Sequence, residues 1–249
     1  MLPCFCVLFI SYYAYGHIYG SEGKAYTDEV KTMIMKDVEG LFFEFQEKAI
    51  LLSMDQDIQT FFYIDDNRLV YDHIKIQDYI AMYKVSSNVI DDIYIYSPSS
   101  GYIYSSAGRL HYDRFFDQEC IGLWKNTENL QQYEYLNRVL YRMQKENVCL
   151  YYTIQYGVGN TGVIVFQLNM NDMRKMFDYG EYIDLVIVGK QKVIYDSTGQ
   201  WIGSEVADTE EITSVLDEGI VLNNTMDLYG LEIWGIRTLL LHLGMKLDM

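Results

Sequence analysis

Cysteine, proline and histidine are scarce in this 249-residue sequence, which contains four cysteines, two prolines and four histidines. Cys4 and Cys6 lie in the apolar N-terminus, so Cys120 and Cys149 are the only possible pair in the body of the chain. This count excludes a scaffold built on disulfides, and one optional bridge does not identify a cellular compartment. The histidines are scattered without a ligand spacing such as HExxH, so the sequence predicts no metal site.

Positive charge is also in short supply, because 19 Lys and Arg residues stand against 35 Asp and Glu residues and the formal net charge is -16. The chain has no basic cluster, which argues against nucleic acid as a partner, since such binding depends on clustered Lys and Arg. A GxSxG motif for a serine nucleophile is absent, and the adjacent carboxylates at 65–66, 91–92 and 210–211 are interpreted as surface charge. The sequence therefore predicts neither catalytic residues nor a cofactor.

One glycine motif needs a closer test, because GVGNTG at 157–162 matches the fingerprint of dinucleotide-binding loops. That fingerprint holds a pyrophosphate only where the glycines leave a strand and open a helix. Here the β-branched and aromatic run at 163–166 follows directly, which indicates a second strand. We therefore predict the loop of a β-hairpin, not a cofactor loop.

The first twenty residues contain no Lys, Arg, Asp or Glu, and tyrosines crowd their C-terminal half. This length and composition predict a transmembrane segment at 1–20. A buried N-terminal helix is the alternative. At the other end, residues 239–243 form an apolar run too short to span a bilayer, and 239–249 are interpreted as a truncated tail.

A long amphipathic helix is predicted at 21–65, continuing out of the membrane segment. Its apolar residues recur at gaps of three and four, namely Val30, Ile34, Val38, Leu41, Phe45, Ala49 and Leu52. This face either forms the seam of a homodimer and a rod that transmits motion, or it packs on its own domain. Both can hold together.

Periodicity and turn residues predict the remaining elements. These are helices at 71–86, 128–145 and 169–177, strands at 93–96, 102–105, 148–156 and 162–168, and a smaller hairpin of 183–188 with 192–196. Asn169 or Asn171 is a suitable N-cap for the last helix.

A short internal repeat connects the two hairpins. The segment YIYSSAG at 102–108 reappears as VIYDSTG at 193–199, each time on the returning strand. The matching context favours an internal duplication, and chance similarity of two hairpin exits is the alternative.

The predicted elements of residues 1–235 include a membrane helix, a long emerging helix, the hairpin IDDIYIYS…GYIYSS, the strand GVIVFQLN and the hairpin VIVGKQKVIYDS. In this combination, residues 1–235 resemble double Cache domains. These are extracytoplasmic sensing regions of bacterial transmembrane receptors, particularly histidine kinases and AraC-type regulators. The resemblance implies an α+β fold in which a long N-terminal helix carries two PAS-like subdomains with antiparallel sheets. It places a membrane-distal subdomain at 66–178, a membrane-proximal one at 179–238, and a ligand in the distal one.

Amino-acid-binding members of that family carry an Arg-x-Trp-Tyr-like segment after the first hairpin. This chain has Asp113, Arg114, Phe115 and Phe116 there, and its nearest tryptophan is Trp124. The departure leaves the class of ligand undetermined.

The candidate binding site is a wall of tyrosines on the first hairpin. Tyr94 and Tyr96 share one strand face, and Tyr102 and Tyr104 are expected to stand beside them. Aromatic rings with hydroxyl tips suit polar organic ligands. The predicted ligand-binding residues are Tyr94, Tyr96, Tyr104, Arg109, Arg114 and Trp124. The alternative is that the tyrosines simply belong to a half-buried sheet and that the arginines are bonded to neighbouring acidic residues.

Together these observations predict an extracytoplasmic, membrane-anchored sensor. It would bind a small polar organic ligand or a periplasmic or extracellular protein, form a homodimer through the long helix, and pass a helix shift to an output domain absent from this chain. The alternative is a membrane-anchored structural or adhesion module. A tyrosine-lined cavity would favour sensing, and a filled core with an exposed aromatic patch would favour adhesion.

Overall fold

A computed structural model describes residues 29–30, 32–63, 70–126, 132–140, 143–156, 160–180, 184–189, 192–205, 225–226 and 231–237. The predicted membrane segment at 1–20 and the tail at 239–249 lie outside these ranges. Within them, no helix is both long enough and apolar enough to cross a membrane.

The first helix, α1, occupies residues 32–54, with 29 and 30 also helical. All seven apolar residues predicted to share one face are buried, and they belong to the main core, which lies between the helices and the two sheets. This face packs on its own domain, as one alternative proposed. The single helix predicted at 21–65 is interrupted at Asp55, which follows the last residue of α1. Its Oδ1 accepts hydrogen bonds from the backbone N–H groups of Asp57 and Ile58 at 2.9 and 3.2 Å and so caps the next helix.

Two shorter helices follow, α2 at Gln56–Tyr63 and α3 at Val70–Val85. The second of these confirms the helix predicted at 71–86. Ile76 and Ile80 are buried against the main core, because residues four apart lie on one helical face.

A six-stranded antiparallel sheet forms the centre of the fold, with strand order β3-β2-β1-β6-β5-β4. Its strands are β1 Ile90–Ser97, β2 Tyr102–Ser105, β3 Gly108–His111, β4 Gln132–Leu140, β5 Met143–Tyr156 and β6 Asn160–Asn169. Between β3 and β4 the chain forms a 3-10 helix, Tyr112–Arg114, and helix α4, Gln118–Asn126. The hairpin of β1 and β2 confirms the predicted pairing of 93–96 with 102–105.

The helix predicted at 128–145 is wrong, because this region contributes β4 and the start of β5. Strand β4 pairs with β5 along its whole length, from Gln132 opposite Tyr151 to Leu140 opposite Met143. Apolar residues at gaps of three and four suggested a helical face, but the same segment has Tyr133, Tyr135 and Val139 at odd positions. Such short segments fit both periods, and pairing with a neighbouring strand decides between them.

Residues 160–162, the described half of the glycine motif, begin strand β6 and not a helix, which agrees with the predicted β-hairpin, while 157–159 lie outside the described residues. Strands β5 and β6 are antiparallel, and Tyr156 stands opposite Asn160. Gly162 serves packing, because a Cβ atom at this position would collide with the ring of Phe62. The pyrophosphate-binding arrangement of strand, glycine loop and helix is therefore not formed by this segment.

Helix α5, Met170–Met176, leads from the large sheet to a second one. The side chain of Asn169 accepts a hydrogen bond from the N–H of Asn171, which confirms the predicted N-cap. The second antiparallel sheet has the order β8-β7-β10-β9. Its strands are β7 Asp184–Gly189, β8 Lys192–Asp196, β9 Thr225–Met226 and β10 Leu231–Arg237. The hairpin of β7 and β8 was predicted, and the two antiparallel sheets with a long first helix confirm the α+β class.

Candidate functional site

Strand register decides which tyrosines of the predicted wall share a face. Tyr94 and Tyr96 lie on one face of β1, while Ile93 and Ile95 lie on the other, where they join the main core. Tyr104 stands opposite Ile95, so it points away from the other two tyrosines and packs edge-on against Phe61 in the main core. The expectation that Tyr104 stands beside Tyr94 and Tyr96 is therefore wrong, because directly paired residues of antiparallel strands share a face.

The side of the large sheet that carries Tyr94 and Tyr96 has its own hydrophobic cluster, which we call the tyrosine face. Its buried members are Tyr94, Tyr96, Ile103, Phe115, Cys120, Ile121, Leu136, Cys149, Tyr151, Val163 and Val165. The cover over this face comes from the 3-10 helix, the short segment after it, and α4. These elements are separate from the long helices of the main core.

Aromatic rings from the cover meet the tyrosines at steep angles. The Phe115 ring lies 4.9 Å from that of Tyr94 with an interplanar angle of 89°, and the Trp124 ring lies 5.9 Å from that of Tyr96 at 82°. Such edge-to-face contacts are the favoured geometry of aromatic pairs. The indole N–H of Trp124 donates to Oγ1 of Thr153 at 2.9 Å, which fixes α4 to β5.

Polar groups also lie inside the tyrosine face. The thiol of Cys149 donates to Oε1 of Gln167 at 3.1 Å, and Nε2 of Gln167 donates to the sulfur of Cys120 at 3.0 Å. The hydroxyl of Tyr151 donates to the backbone carbonyl of Cys120 at 3.0 Å. Buried polar groups are normally satisfied in this way, so the network positions α4 over the sheet.

One cation stands at the rim of the tyrosine face. The ammonium group of Lys125 lies 3.5 Å from the ring centroid of Tyr112 and 5.1 Å from that of Tyr96, within the range of cation–π attraction. Burial raises the pKa of Tyr96 to about 12, and the neighbouring Tyr156 and Asp113 act in the same direction. Tyr96 therefore presents a neutral hydroxyl at physiological pH.

The two arginines among the predicted site residues lie elsewhere. Arg109 stands opposite Tyr104 and its guanidinium carbon lies 3.6 Å from the ring centroid of Tyr102, on the side of the sheet facing the main core. Burial lowers the pKa of Arg109, and the nearby Tyr102 opposes this. Arg114 is exposed at the end of the 3-10 helix. The structure thus brings together Tyr94, Tyr96 and Trp124 from the predicted set, and ligand binding by any of the six stays a prediction.

Several residues of this face are not among the six predicted ligand-binding residues. Gln167 gave a usable signal, because it is the single polar residue in the apolar run at 163–168. Tyr151 and Cys149 alternate along β5, which is the period of a half-buried strand. Phe115 is outside the predicted set, although its ring covers Tyr94.

A separate cleft of about 300 Å³ lies where α1 and α2 approach β5. Its lining residues are Ser53, Met54, Gln59, Phe62, Tyr63, Tyr152, Thr153, Ile154, Gln155 and Tyr156. None of them is charged, so this cleft offers no ionic anchor for a ligand. In the described part of the chain, no three His, Cys, Asp or Glu side chains are grouped so as to hold a metal ion.

Comparison with known proteins gives similarity in structure alone. No protein-family model matches the chain, and neither does any curated protein. The extracellular domain of vpHK1S-Z8 is 9% identical, with 84% of this chain and 90% of that chain covered at a TM-score of 0.52. The ligand-binding domain of Pseudomonas fluorescens chemoreceptor CtaA, in complex with L-leucine, is 9% identical. The alignment covers 77% of this chain and 78% of that chain at a TM-score of 0.51.

A third structure is the ligand-binding domain of Campylobacter jejuni chemoreceptor Tlp3 in complex with L-valine. It is 13% identical, and the alignment covers 82% of each chain at a TM-score of 0.50. At such identities the similarity concerns the fold. The resemblance to double Cache sensor domains is confirmed at that level, and the neighbours are sensory and ligand-binding domains.

Proposed function

We propose that this chain is the sensory domain of a membrane-anchored bacterial receptor, which binds a small polar organic ligand at the tyrosine face. The observation that carries this proposal is the separate cover over Tyr94 and Tyr96. That cover consists of the 3-10 helix, the short segment after it and α4, and its buried residues form a cluster with the tyrosines that is separate from the main core. The fold shared with ligand-binding sensory domains supports the same role.

The chemistry of the tyrosine face indicates what kind of ligand it would take. Aromatic rings of Tyr94, Tyr96 and Trp124 offer contact area for an apolar body, and Gln167 carries a donor and an acceptor, which bond Cys120 and Cys149 while the cover lies on the sheet. Lys125 at the rim can pair with a carboxylate. A small organic acid, or an amino acid with an apolar side chain, fits this combination.

Signal transmission would follow from a shift between two arrangements of the cover and the sheet. A ligand that separates α4 from β5 stabilises the open arrangement by its differential affinity. The opposite side of the same sheet packs on α1, because Ile93, Ile95 and Phe166 share the main core with Ile34 and Phe45. A change in the sheet would therefore reach α1, and from it the segment at 1–20 and an output domain beyond the membrane.

Anchoring in the cell membrane, with the folded region extracytoplasmic, rests on the uncharged sequence at 1–20. The whole chain, expressed in bacteria, should remain in the membrane fraction after alkaline extraction. A cysteine introduced by Ser106→Cys on the exposed β2–β3 turn should react with a membrane-impermeant maleimide in intact cells or spheroplasts. Release of the chain by alkali would argue against the anchor.

A homodimer through α1 would use the surface opposite its core-facing side. Seven exposed residues recur there at alternating gaps of three and four, namely Met33, Lys36, Gly40, Phe43, Glu47, Ile50 and Met54. Phe43 is 55% exposed and Met54 is 71% exposed, which is unusual for large apolar side chains on a regular stripe. A second copy of the chain is the occupant we propose.

Sedimentation of the full chain tests this dimer. Phe43→Asp should shift the protein toward monomer, since it replaces the large exposed ring at the centre of the stripe with a charge. Met82→Asp on α3 introduces the same charge at a comparably exposed position off the stripe and should leave the association unchanged. A dimer that survives Phe43→Asp would require a different interface.

Thermal melts of the full chain against amino acids, organic acids, sugars and polyamines test ligand binding. A ligand at a hundredfold excess over its Kd should raise Tm by about 5–10 °C, as linkage predicts for a chain of this size. Tyr96→Phe and Trp124→Phe should weaken this rise, and Met82→Ala should not. Arg114→Ala should leave it intact if the tyrosine face is the site.

The alternative, a membrane-anchored adhesion module, has one observation in its favour. Tyr94 and Tyr96 are each only 2% exposed, so the tyrosine face is filled, while Met54 and Tyr63 remain exposed beside the cleft at the α1–α2 junction. If none of the compounds raises Tm, direct sensing loses its support. Protein partners that contact Tyr63 would then be the next object of study.

A further inference from the structure

Cys120 and Cys149 face each other across the tyrosine face. Cys120 lies on α4 and Cys149 on β5, and their sulfur atoms are 3.9 Å apart. Both side chains are fully buried. A disulfide needs a sulfur separation of about 2 Å, so the two sulfurs would have to approach by about 2 Å, through a small rotation or shift of α4.

Gln167 bonds both cysteines in the dithiol state. It accepts a hydrogen bond from the thiol of Cys149 at 3.1 Å and donates one to the sulfur of Cys120 at 3.0 Å. The hydroxyl of Tyr151 also lies 3.4 Å from the sulfur of Cys120. Two cysteines aimed at each other on different elements, with polar neighbours on both, differ from cysteines that merely fill an apolar core.

We propose that Cys120 and Cys149 form a reversible disulfide that ties α4 to β5. The disulfide is inferred from the placement of the two sulfurs and not from the sensory function proposed above, although it would hold closed the cover that a ligand is proposed to open. In the dithiol form α4 is held over the sheet by hydrogen bonds and ring contacts. In the disulfide form the same helix is covalently attached.

The reaction requires a disulfide as oxidant, and a low-molecular-weight compound such as oxidised glutathione supplies it. The thiolate of one cysteine attacks a glutathione sulfur, which forms a mixed disulfide and releases one glutathione thiolate. The second cysteine thiolate then attacks the protein sulfur of that mixed disulfide and releases the second glutathione thiolate. Two electrons pass from the cysteines to glutathione, whose two thiolates take up the two protons.

Burial controls when this exchange takes place. Fully buried thiols are shielded from attack, so exchange needs a state in which α4 has left the sheet, either during folding or in a local opening. A glutathione molecule can therefore reach Cys120 and Cys149 only while the tyrosine face is open.

The test uses the full chain with Cys4→Ser and Cys6→Ser, so that Cys120 and Cys149 are the only thiols. The protein is refolded from urea in a buffer containing reduced and oxidised glutathione, and its peptides are mapped by mass spectrometry without reduction. We expect a peptide that joins 120 to 149, parallel loss of both thiols, and a Tm about 5–10 °C above that of the reduced protein. Mapping the unmutated chain in the same way shows whether the serine substitutions matter.

Cys149→Ser in the same background is the matched control. It should carry glutathione on Cys120 after the same refolding, and reductant should not lower its Tm as it lowers that of the oxidised pair. The proposal is overturned if both cysteines stay reduced throughout refolding, or if each retains its own glutathione without a joined peptide.

Discussion

In the six-stranded sheet residues 102–108 comprise β2 and the turn after it, and in the four-stranded sheet residues 193–199 comprise most of β8 and the turn after it. Ile103 and Tyr104 in the first segment are fully buried, and so are Ile194 and Tyr195 in the second. Each segment ends on a glycine with positive φ, 110° at 108 and 76° at 199. The two segments therefore match in their buried Ile–Tyr pairs and in the positive φ of their closing glycines, which supports the interpretation as an internal duplication.

The two turns differ in the carboxylate that holds them. In the second turn Asp196 accepts hydrogen bonds from the N–H groups of Thr198, Gln200 and Trp201 and from the hydroxyl of Thr198. In the first turn Ser105 stands at the matching position and accepts one, from the N–H of Ala107. The carboxylate that serves the first turn comes from a neighbouring strand.

That carboxylate is Asp92 on β1. Its Oδ1 accepts from the N–H of Ser106 at 3.0 Å, and its Oδ2 accepts from the hydroxyl of Ser106 at 2.8 Å. A turn capped by its own strand is stabilised by local sequence, whereas a turn capped from another strand depends on the assembled sheet. The first turn is thus tied to the sheet that carries the tyrosine face.

The largest expected difference between the turns comes from removing their capping side chains. Asp196→Ala should lower the free energy of unfolding by about 3 kcal/mol, because it removes a charged acceptor of four hydrogen bonds, three of them from backbone N–H groups. Ser105→Ala should cost about 1 kcal/mol, since one donor is affected. Urea unfolding of both variants measures this, and equal losses would contradict the local capping of the second turn.

The two glycines offer a second, smaller contrast. Gly108 has φ 110°, and a Cβ atom there would lie 3.2 Å from Nε2 of Gln77, whereas Gly199 has φ 76° and its nearest neighbour, Arg174, would be 3.6 Å away. Gly108→Ala should cost about 2 kcal/mol and Gly199→Ala about 1 kcal/mol, because the latter is closer to the left-handed helical region. A reversed order in thermal melts would show that the turns do not match as described.

Replacement of Tyr195 is expected to leave the free energy of unfolding unchanged or to raise it slightly, in contrast to the losses expected above. Its buried hydroxyl has no hydrogen-bond partner among the described residues, so Tyr195→Phe should leave stability unchanged or raise it by up to about 1 kcal/mol. Tyr179→Phe is the control and should cost about 1 kcal/mol, because the hydroxyl of Tyr179 donates to Asp37 at 3.0 Å. Urea unfolding at neutral pH compares the two, and a clear loss for Tyr195→Phe would contradict the assignment.

The pH dependence of Tyr195 follows from its environment. Burial raises the pKa of Tyr195 to about 12, with Asp196 and Asp178 adding to the rise and Arg174 opposing it. The folded state then holds this proton more tightly than the unfolded chain, so stability is intact below the ordinary value of 10.0 and falls as pH rises toward 12. The phenylalanine variant should lack this part of the alkaline decline.

The smallest effect is expected for Asp92→Asn. Burial raises the pKa of Asp92 above 3.8, although its hydrogen bonds with Ser106 and Ile93 and the charge of Lys84 oppose the shift. The folded state therefore binds the proton of Asp92 more tightly than the unfolded chain does. The stability that this proton contributes declines as pH rises above 3.8. An asparagine keeps Oδ1 as acceptor and does not titrate, so the difference in urea midpoint between the two proteins should grow from acidic to neutral pH. A difference that stays constant would contradict the raised pKa.

Much of the fold could be predicted because it depends on local patterns. The core-facing side of α1 follows from residues spaced three and four apart, and both hairpins follow from alternating strands around turn residues. Strand β4 could not be predicted, because its apolar residues satisfy both periods and only pairing with β5 selects the strand.

The candidate site was predictable only in part. The alternation along β1 placed Tyr94 and Tyr96 together, but the position of Tyr104 depended on how β2 pairs with β1. A shift of one residue in that register would have turned Tyr104 to the tyrosine face. The sulfur contact between Cys120 and Cys149 brings together residues 29 positions apart, which no local pattern encodes.

By itself the sequence determined the apolar face of α1, the hairpins and the repeated turn, because each depends on neighbours within a few positions along the chain. Tertiary structure alone decided that β4 is a strand, that Tyr104 faces the main core, and that α4 covers Tyr94 and Tyr96. These features arise from strand register and from packing between distant segments, whose free energies exist only once the sheet has assembled.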